Sequence, residues 1–83
     1  MPIMQIEFKP RAAKDLRDLD PQHRKRVFAK IEGLADNLAG DVKRLASFTP
    51  EYRLRVGDYR VLFELEDNRV VIYRIKHRRE AYD

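Results

Sequence analysis

The chain contains no cysteine, only three glycines and a single serine, Ser47. Without cysteine there is neither a disulfide framework nor a thiolate metal site. The two histidines, His23 and His77, lie far apart with no ligand spacing, so no metal and no cofactor is expected. No glycine-rich phosphate loop is present, and Ser47 has no evident base partner, which argues against loop-cradled nucleotide chemistry and serine nucleophiles. No apolar run approaches the roughly 20 residues of a membrane-crossing helix. The opening MPIMQIEFKP carries an acid and lacks the apolar core of a signal peptide, so a cytoplasmic protein without membrane contact is expected.

What is present is charge, laid on a regular apolar pattern. Of 83 residues, 39% are charged and 43% hydrophobic, and the periodicity argues for one folded domain spanning residues 1–83. A chain this short builds one core, burying about 60–65% of its unfolded surface. The net charge is +4 and the isoelectric point is near 9.6, which favours an acidic partner, either nucleic acid or an acidic protein segment.

The charge gathers in residues 52–82, YRLRVGDYRVLFELEDNRVVIYRIKHRREAY. Tyr52, Leu54 and Val56 alternate with Arg53 and Arg55, so the two sets point to opposite faces of a strand. Gly57-Asp58 suits a two-residue hairpin loop, which sets Val56 opposite Tyr59, Arg55 opposite Arg60 and Arg53 opposite Leu62. The apolar face then carries Leu54, Val56, Tyr59, Val61, Phe63 and Leu65. For the next turn, a two-residue loop at Asp67-Asn68 would align Arg74 with Val61 on that apolar face. A three-residue loop through Asp67-Asn68-Arg69 instead puts Val71, Tyr73 and Ile75 there, with Lys76 opposite Arg60 and Arg74 opposite Leu62. The second register separates charge from core and is preferred. It leaves Arg53, Arg55, Arg60, Arg74 and Lys76 on one face.

Like charges placed directly across a sheet are destabilising. Exposed strands also carry Lys and Arg simply to block edge pairing, so the row alone is ambiguous. The tail adds His77, Arg78, Arg79 and Tyr82 just beyond the last strand, and a polyanion site becomes the better reading. With no acid across from it, Arg60 should be removable without loss of stability.

The remaining chain supplies support. Met4, Ile6 and Phe8 alternate as a first strand, and Pro10 opens a short helix carrying Ala12, Leu16 and Leu19. Asp20-Pro21 is a helix start, followed by an apolar stripe of Val27, Phe28, Ile31, Leu34, Ala35 and Leu38 that Gly40 should terminate. Residues 42–45 suit a brief strand or a turn, and Thr49-Pro50 favours extended chain before Tyr52. The order β-α-α-β-β-β predicts an α+β domain with a two-helix hairpin on one face of an antiparallel sheet. His23 and the cluster Arg24-Lys25-Arg26 read as solvated helix surface, and the alternating aromatics Tyr52, Tyr59, Phe63 and Tyr73 as packing.

YRLRVGDYRVLFEL followed by VVIYRIKHRREAY resembles the RelE/ParE superfamily of toxins from type II toxin–antitoxin pairs, and the likeness extends over nearly the whole chain. It implies the RelE-like fold and, on the RelE-like branch, a metal-independent, ribosome-dependent endoribonuclease that cuts mRNA in the A site and inhibits translation. By position in the motif, the resemblance assigns catalytic roles to Arg55, Arg60, Arg78 and Tyr82, with Arg53, Arg74, Lys76, His77 and Arg79 binding substrate. Some members carry lysines in the first of these strands where this chain has Arg53 and Arg55. The implied partners are a cognate antitoxin, the ribosome with its mRNA, and a toxin–antitoxin hetero-oligomer on operator DNA. Two rival readings stay open: a ParE-like inhibitor of DNA gyrase without nuclease activity, and a member acting mainly with its antitoxin in transcriptional repression.

Overall fold

In the computed structural model, which describes residues 4–45 and 49–81, Gly57 and Asp58 form a two-residue hairpin loop. Gly57 has φ +58°, a conformation that costs glycine little. The hairpin joins β3 (Tyr52–Val56) to β4 (Tyr59–Glu66), and its register runs from Val56 opposite Tyr59 to Tyr52 opposite Phe63, as the loop requires.

The next turn reconciles the two registers considered from sequence. Asp67 and Asn68 make a two-residue loop, so Glu66 pairs with Arg69 at the start of β5 (Arg69–His77). A β-bulge then takes up one residue: Phe63 pairs with Ile72 while Leu62 pairs with Arg74, leaving Tyr73 extra. Past the bulge Lys76 stands opposite Arg60, as expected; before it Val71 pairs with Glu64, so Val71 is buried but does not share the face of Phe63, and Tyr73 is only half-buried, against the expectation that both line the apolar face. Ile75 lies in the core as expected, and Val70 and Ile72 join it there.

Two further strands complete the sheet, in the order β1-β5-β4-β3-β2. β1 (Gln5–Phe8) pairs in parallel with β5, and β2 (Asp41–Arg44) pairs antiparallel with β3 as the opposite edge. α1 (Pro10–Asp18) and α2 (Pro21–Gly33) cover one face, and α3 (Arg78–Ala81) follows β5. Asp20 caps α2 by accepting from the amides of Gln22 and His23, both at 3.1 Å, beside the proline that opens the helix.

α2 ends at Gly33, earlier than the apolar stripe suggests. The amides of Leu34, Ala35 and Asp36 bond three residues back, a tightened final turn, and Asn37 and Leu38 take positive φ. The stripe still reaches the core: Val27, Ile31 and Leu34 are buried and Leu38 packs beside them, while Phe28 remains 40% exposed and stacks on Phe8. The helices meet Leu54, Val56, Val61, Phe63, Val70 and Ile72 from the sheet. Each large apolar side chain so buried contributes about 1.5–3 kcal/mol. Among the described residues no helix is long and apolar enough to cross a membrane.

Candidate functional site

Sheet register brings the basic residues together on the face away from α1 and α2. One row runs across four strands as Asp41, Arg55, Arg60 and Lys76; the next runs Lys43, Arg53, Leu62 and Arg74. Directly paired residues share a face with Cβ atoms about 5 Å apart, so Arg60 has a cation across from it on both sides.

The side chains differ in what holds them. Arg60 is 7% exposed, the one charged residue among the buried ones described. Its Nη1 donates to the carbonyls of Gly57 at 2.8 Å and Tyr59 at 2.9 Å, folding the guanidinium back over the hairpin loop. The expectation that Arg60 is removable without loss of stability rests only on the residues across from it; these bonds tie it to the loop. Arg53, with its side chain 11% exposed, lies 3.7 Å from Asp41. The Nε of each arginine is buried without a partner among the described residues.

Arg74 does not join the open face. Beyond Ile72 the outer edge of β5 has no strand beside it, because β1 ends there. Asp15 of α1 occupies that edge, accepting from the Ile75 amide at 2.9 Å and from Arg74 Nε at 2.7 Å and Nη2 at 3.3 Å. Burial pushes the Asp15 carboxyl up, but the bonds from Arg74 and Ile75 and the charges of Arg74 and Arg11 outweigh it, so its pKa falls below the ordinary value. Donating to Asp15 in turn raises the Arg74 pKa.

Arg55 and Lys43 are exposed and Lys76 half-buried, and no acid pairs with these three among the described residues. Lys43 escaped the sequence reading because residues 42–45 could have been a turn. The apolar Val42 and Leu45 flanking two cations were its only local signal.

The tail begins at the same end of the sheet. The Arg78 amide donates to the Asp58 carbonyl at 2.7 Å, and its side chain lies 3.8 Å from the Asp58 carboxylate, both exposed. His77 Nδ1 accepts from the Arg79 amide at 3.3 Å, which in the neutral ring puts the proton on Nε2. Tyr82 lies outside the described residues.

His23 and His77, distant in sequence, both contact Tyr59, with ring centroids 5.3 and 5.6 Å away. His23 also bonds Asp20 at 2.6 Å, whose carboxyl is held below its usual range chiefly by the His23 amide and ring. A cleft of about 130 Å³ lies beside them, lined by Arg26, Val56 and Asp58 among others. Tyr73, at the bulge, carries Lys9 over its ring at 5.3 Å and bonds Glu66 at 3.4 Å; burial and then Glu66 raise its pKa. The assembled face thus offers fixed positive charge and hydrogen-bond donors. Such a face is chemically suited to an anion that spreads charge over several oxygens.

The chain is similar to known proteins over nearly all of its length. Residues 6–82 match the family model described as the ParE toxin of type II toxin–antitoxin system, parDE. Toxin RelE3 of Methanocaldococcus jannaschii is 31% identical over 85 residues, spanning 96% of this chain and 97% of the relative. A second relative from the same archaeon, also carrying the RelE name, is 39% identical over 81 residues, 92% and 90% of the two chains. Among solved structures, the toxin–antitoxin complex RelBE2 of Mycobacterium tuberculosis superposes with a TM-score of 0.79 at 28% identity, covering 93% of this chain and 99% of that one. The chain belongs to the RelE/ParE superfamily and is the toxin of a toxin–antitoxin system.

Proposed function

We propose that this toxin is an endoribonuclease that cuts mRNA in the ribosomal A site and is neutralised by a cognate antitoxin. The observation that carries the reading is the row Arg55, Arg60, Lys76, three cations paired straight across adjacent strands. Such a row costs stability, and a phosphodiester substrate supplies the missing anion.

The reaction is attack of a 2′-hydroxyl on the adjacent phosphate, giving a 2′,3′-cyclic phosphate and a 5′-hydroxyl. The transition state gathers negative charge on the phosphoryl oxygens, and pre-oriented guanidinium groups stabilise it. Arg60, held by two backbone carbonyls, needs no reorganisation to present its field. Arg55, Lys76 and Arg78 supply further charge, Arg53 and Arg79 support phosphate binding, and Arg74, on β5, acts from the position in which Asp15 of α1 holds it. Tyr82 is proposed as the group that takes the 2′ proton, with His77 as a second route. Arginines hold protons too tightly to shuttle them. Free RNA should therefore be cut poorly, and the ribosome would supply the substrate geometry.

The solved relative is a complex of toxin with antitoxin. An antitoxin for this chain would carry an acidic, amphipathic segment that covers the basic face and apolar surface near the helix hairpin. The pair would reside in the cytoplasm and could assemble on operator DNA. A second reading, inhibition of DNA gyrase, is favoured by the parDE family match. One experiment separates them. In a reconstituted translation system, primer extension should map cuts to codons in the A site, with gyrase supercoiling unaffected. Supercoiling inhibition with intact mRNA would establish the second reading instead.

A further inference from the structure

We infer that single-stranded RNA crosses the sheet perpendicular to the strands, from Lys43 on the β2 edge over Arg55 to Lys76 on β5. This rests on the nuclease reading above and adds to it the path of the substrate and an anchor outside the motif residues.

The direction follows from the order of charges on the face. Along β4, the residues sharing a face with Arg60 are Leu62, Glu64 and Glu66, since side chains alternate along a strand. A polyanion running along β4 would leave the cations within two residues and meet carboxylates. Across the strands the charges stay positive from β3 to β5. Arg60 sits between Arg55 and Lys76, and Lys43 stands beside Arg53 on the outermost strand. From β2 to β5 is three strand spacings, about 15 Å.

The partners of each cation divide the labour. Arg60 is bound to loop carbonyls, Arg53 lies against Asp41, and Arg74 is held by Asp15. Lys43, Arg55 and Lys76 form no ion pair among the described residues and remain available to phosphates. Asp41, opposite Arg55, closes the first row at β2, so the track leaves the sheet over Lys43 in the second.

The test is binding of a short single-stranded oligoribonucleotide to the full chain, followed by fluorescence anisotropy across a tenfold range of salt. Each phosphate contact contributes about −0.7 to the slope of log K against log salt for single strands, so three contacts give about −2, and tail arginines steepen it. Lys43→Ala, and likewise Lys43→Gln, should make the slope shallower by about 0.7, a fivefold smaller loss of affinity over that range. Lys30→Ala, which removes the same charge from the exposed side of α2, should leave the slope unchanged. If the Lys43 variants match Lys30→Ala while the parent binds RNA, the path is wrong and the nuclease reading survives. If the parent shows no salt-dependent RNA binding, both fall.

Discussion

The guanidinium of Arg60 donates to the carbonyl of Gly57, three residues back in the hairpin loop, at 2.8 Å. The same nitrogen reaches the carbonyl of Tyr59 at 2.9 Å, so the central cation of the basic face also braces the turn that precedes it. Site and scaffold are coupled at this residue.

Arg60→Ala should therefore lower both cleavage and stability. Relief of repulsion from Arg55 and Lys76 is worth a few tenths of a kcal/mol. Hydrogen bonds from a charged donor contribute about 1.5–3 kcal/mol each, part of which water restores at an exposed loop. A net loss of about 1–2 kcal/mol would lower Tm by roughly 4–16 °C in a domain of this size. Calorimetry beside mRNA cleavage on ribosomes checks it; a Tm at or above the parent's would show that the loop contacts contribute nothing.

Asp15→Asn should destabilise by about 1–3 kcal/mol at neutral pH, since it removes the charge that holds Arg74 and the Ile75 amide. The Asp15 pKa is depressed in the folded protein, so its stabilisation is present above the unfolded value near 3.8 and is lost as pH falls through the lower folded value. Melting curves of parent and variant should consequently stay apart from pH 7 down to about 4 and converge below it. A constant gap across that acid range would remove Asp15 as the titrating group.

These two residues mark how far the sequence could be read. The β3–β4 hairpin was legible because a two-residue loop at Gly57-Asp58 determines every pair after it. In β5 two requirements conflicted, a tight Asp67-Asn68 loop against Lys76 opposite Arg60, and a bulge at Tyr73 satisfied both. A bulge of that kind has no strong sequence mark. The parallel pairing of β1 with β5 and the Asp15–Arg74 pair join residues about sixty positions apart, beyond any local pattern. Arg53, Arg55, Arg60 and Lys76 were brought to one face as the alternation required, but alternation does not report that the Arg60 side chain turns back on its own loop.

Leu34→Ala tests the core independently of the site. Leu34 is fully buried where the last turn of α2 meets the sheet. The substitution should cost about 2–5 kcal/mol while leaving cleavage per folded molecule unchanged. Urea denaturation with a parallel rate measurement at low temperature would show it, and a loss below 1 kcal/mol would mean the site collapses around the cavity.

Lys76→Ala and Arg55→Ala separate charge from fold most cleanly. Each flanks Arg60 and neither forms an ion pair among the described residues, although Asp41 stands across from Arg55 on β2. Removing Lys76 relieves a like-charge pair and should raise stability by about 0.2–1 kcal/mol, whereas removing Arg55 also gives up its cross-strand attraction to Asp41 and should leave stability near the parent's. On the nuclease reading, cleavage should fall, because a cation facing the developing phosphoryl charge is lost; one such donor is worth up to about 100- to 1000-fold in rate. The contrast with Arg60→Ala is the informative part. All three variants should lower activity, but Tm should rise for Lys76→Ala, change little for Arg55→Ala and drop for Arg60→Ala. Equal losses of stability in all three would mean that the flanking cations are also held by the fold, and repulsion across the row would not be the reason for a phosphate site.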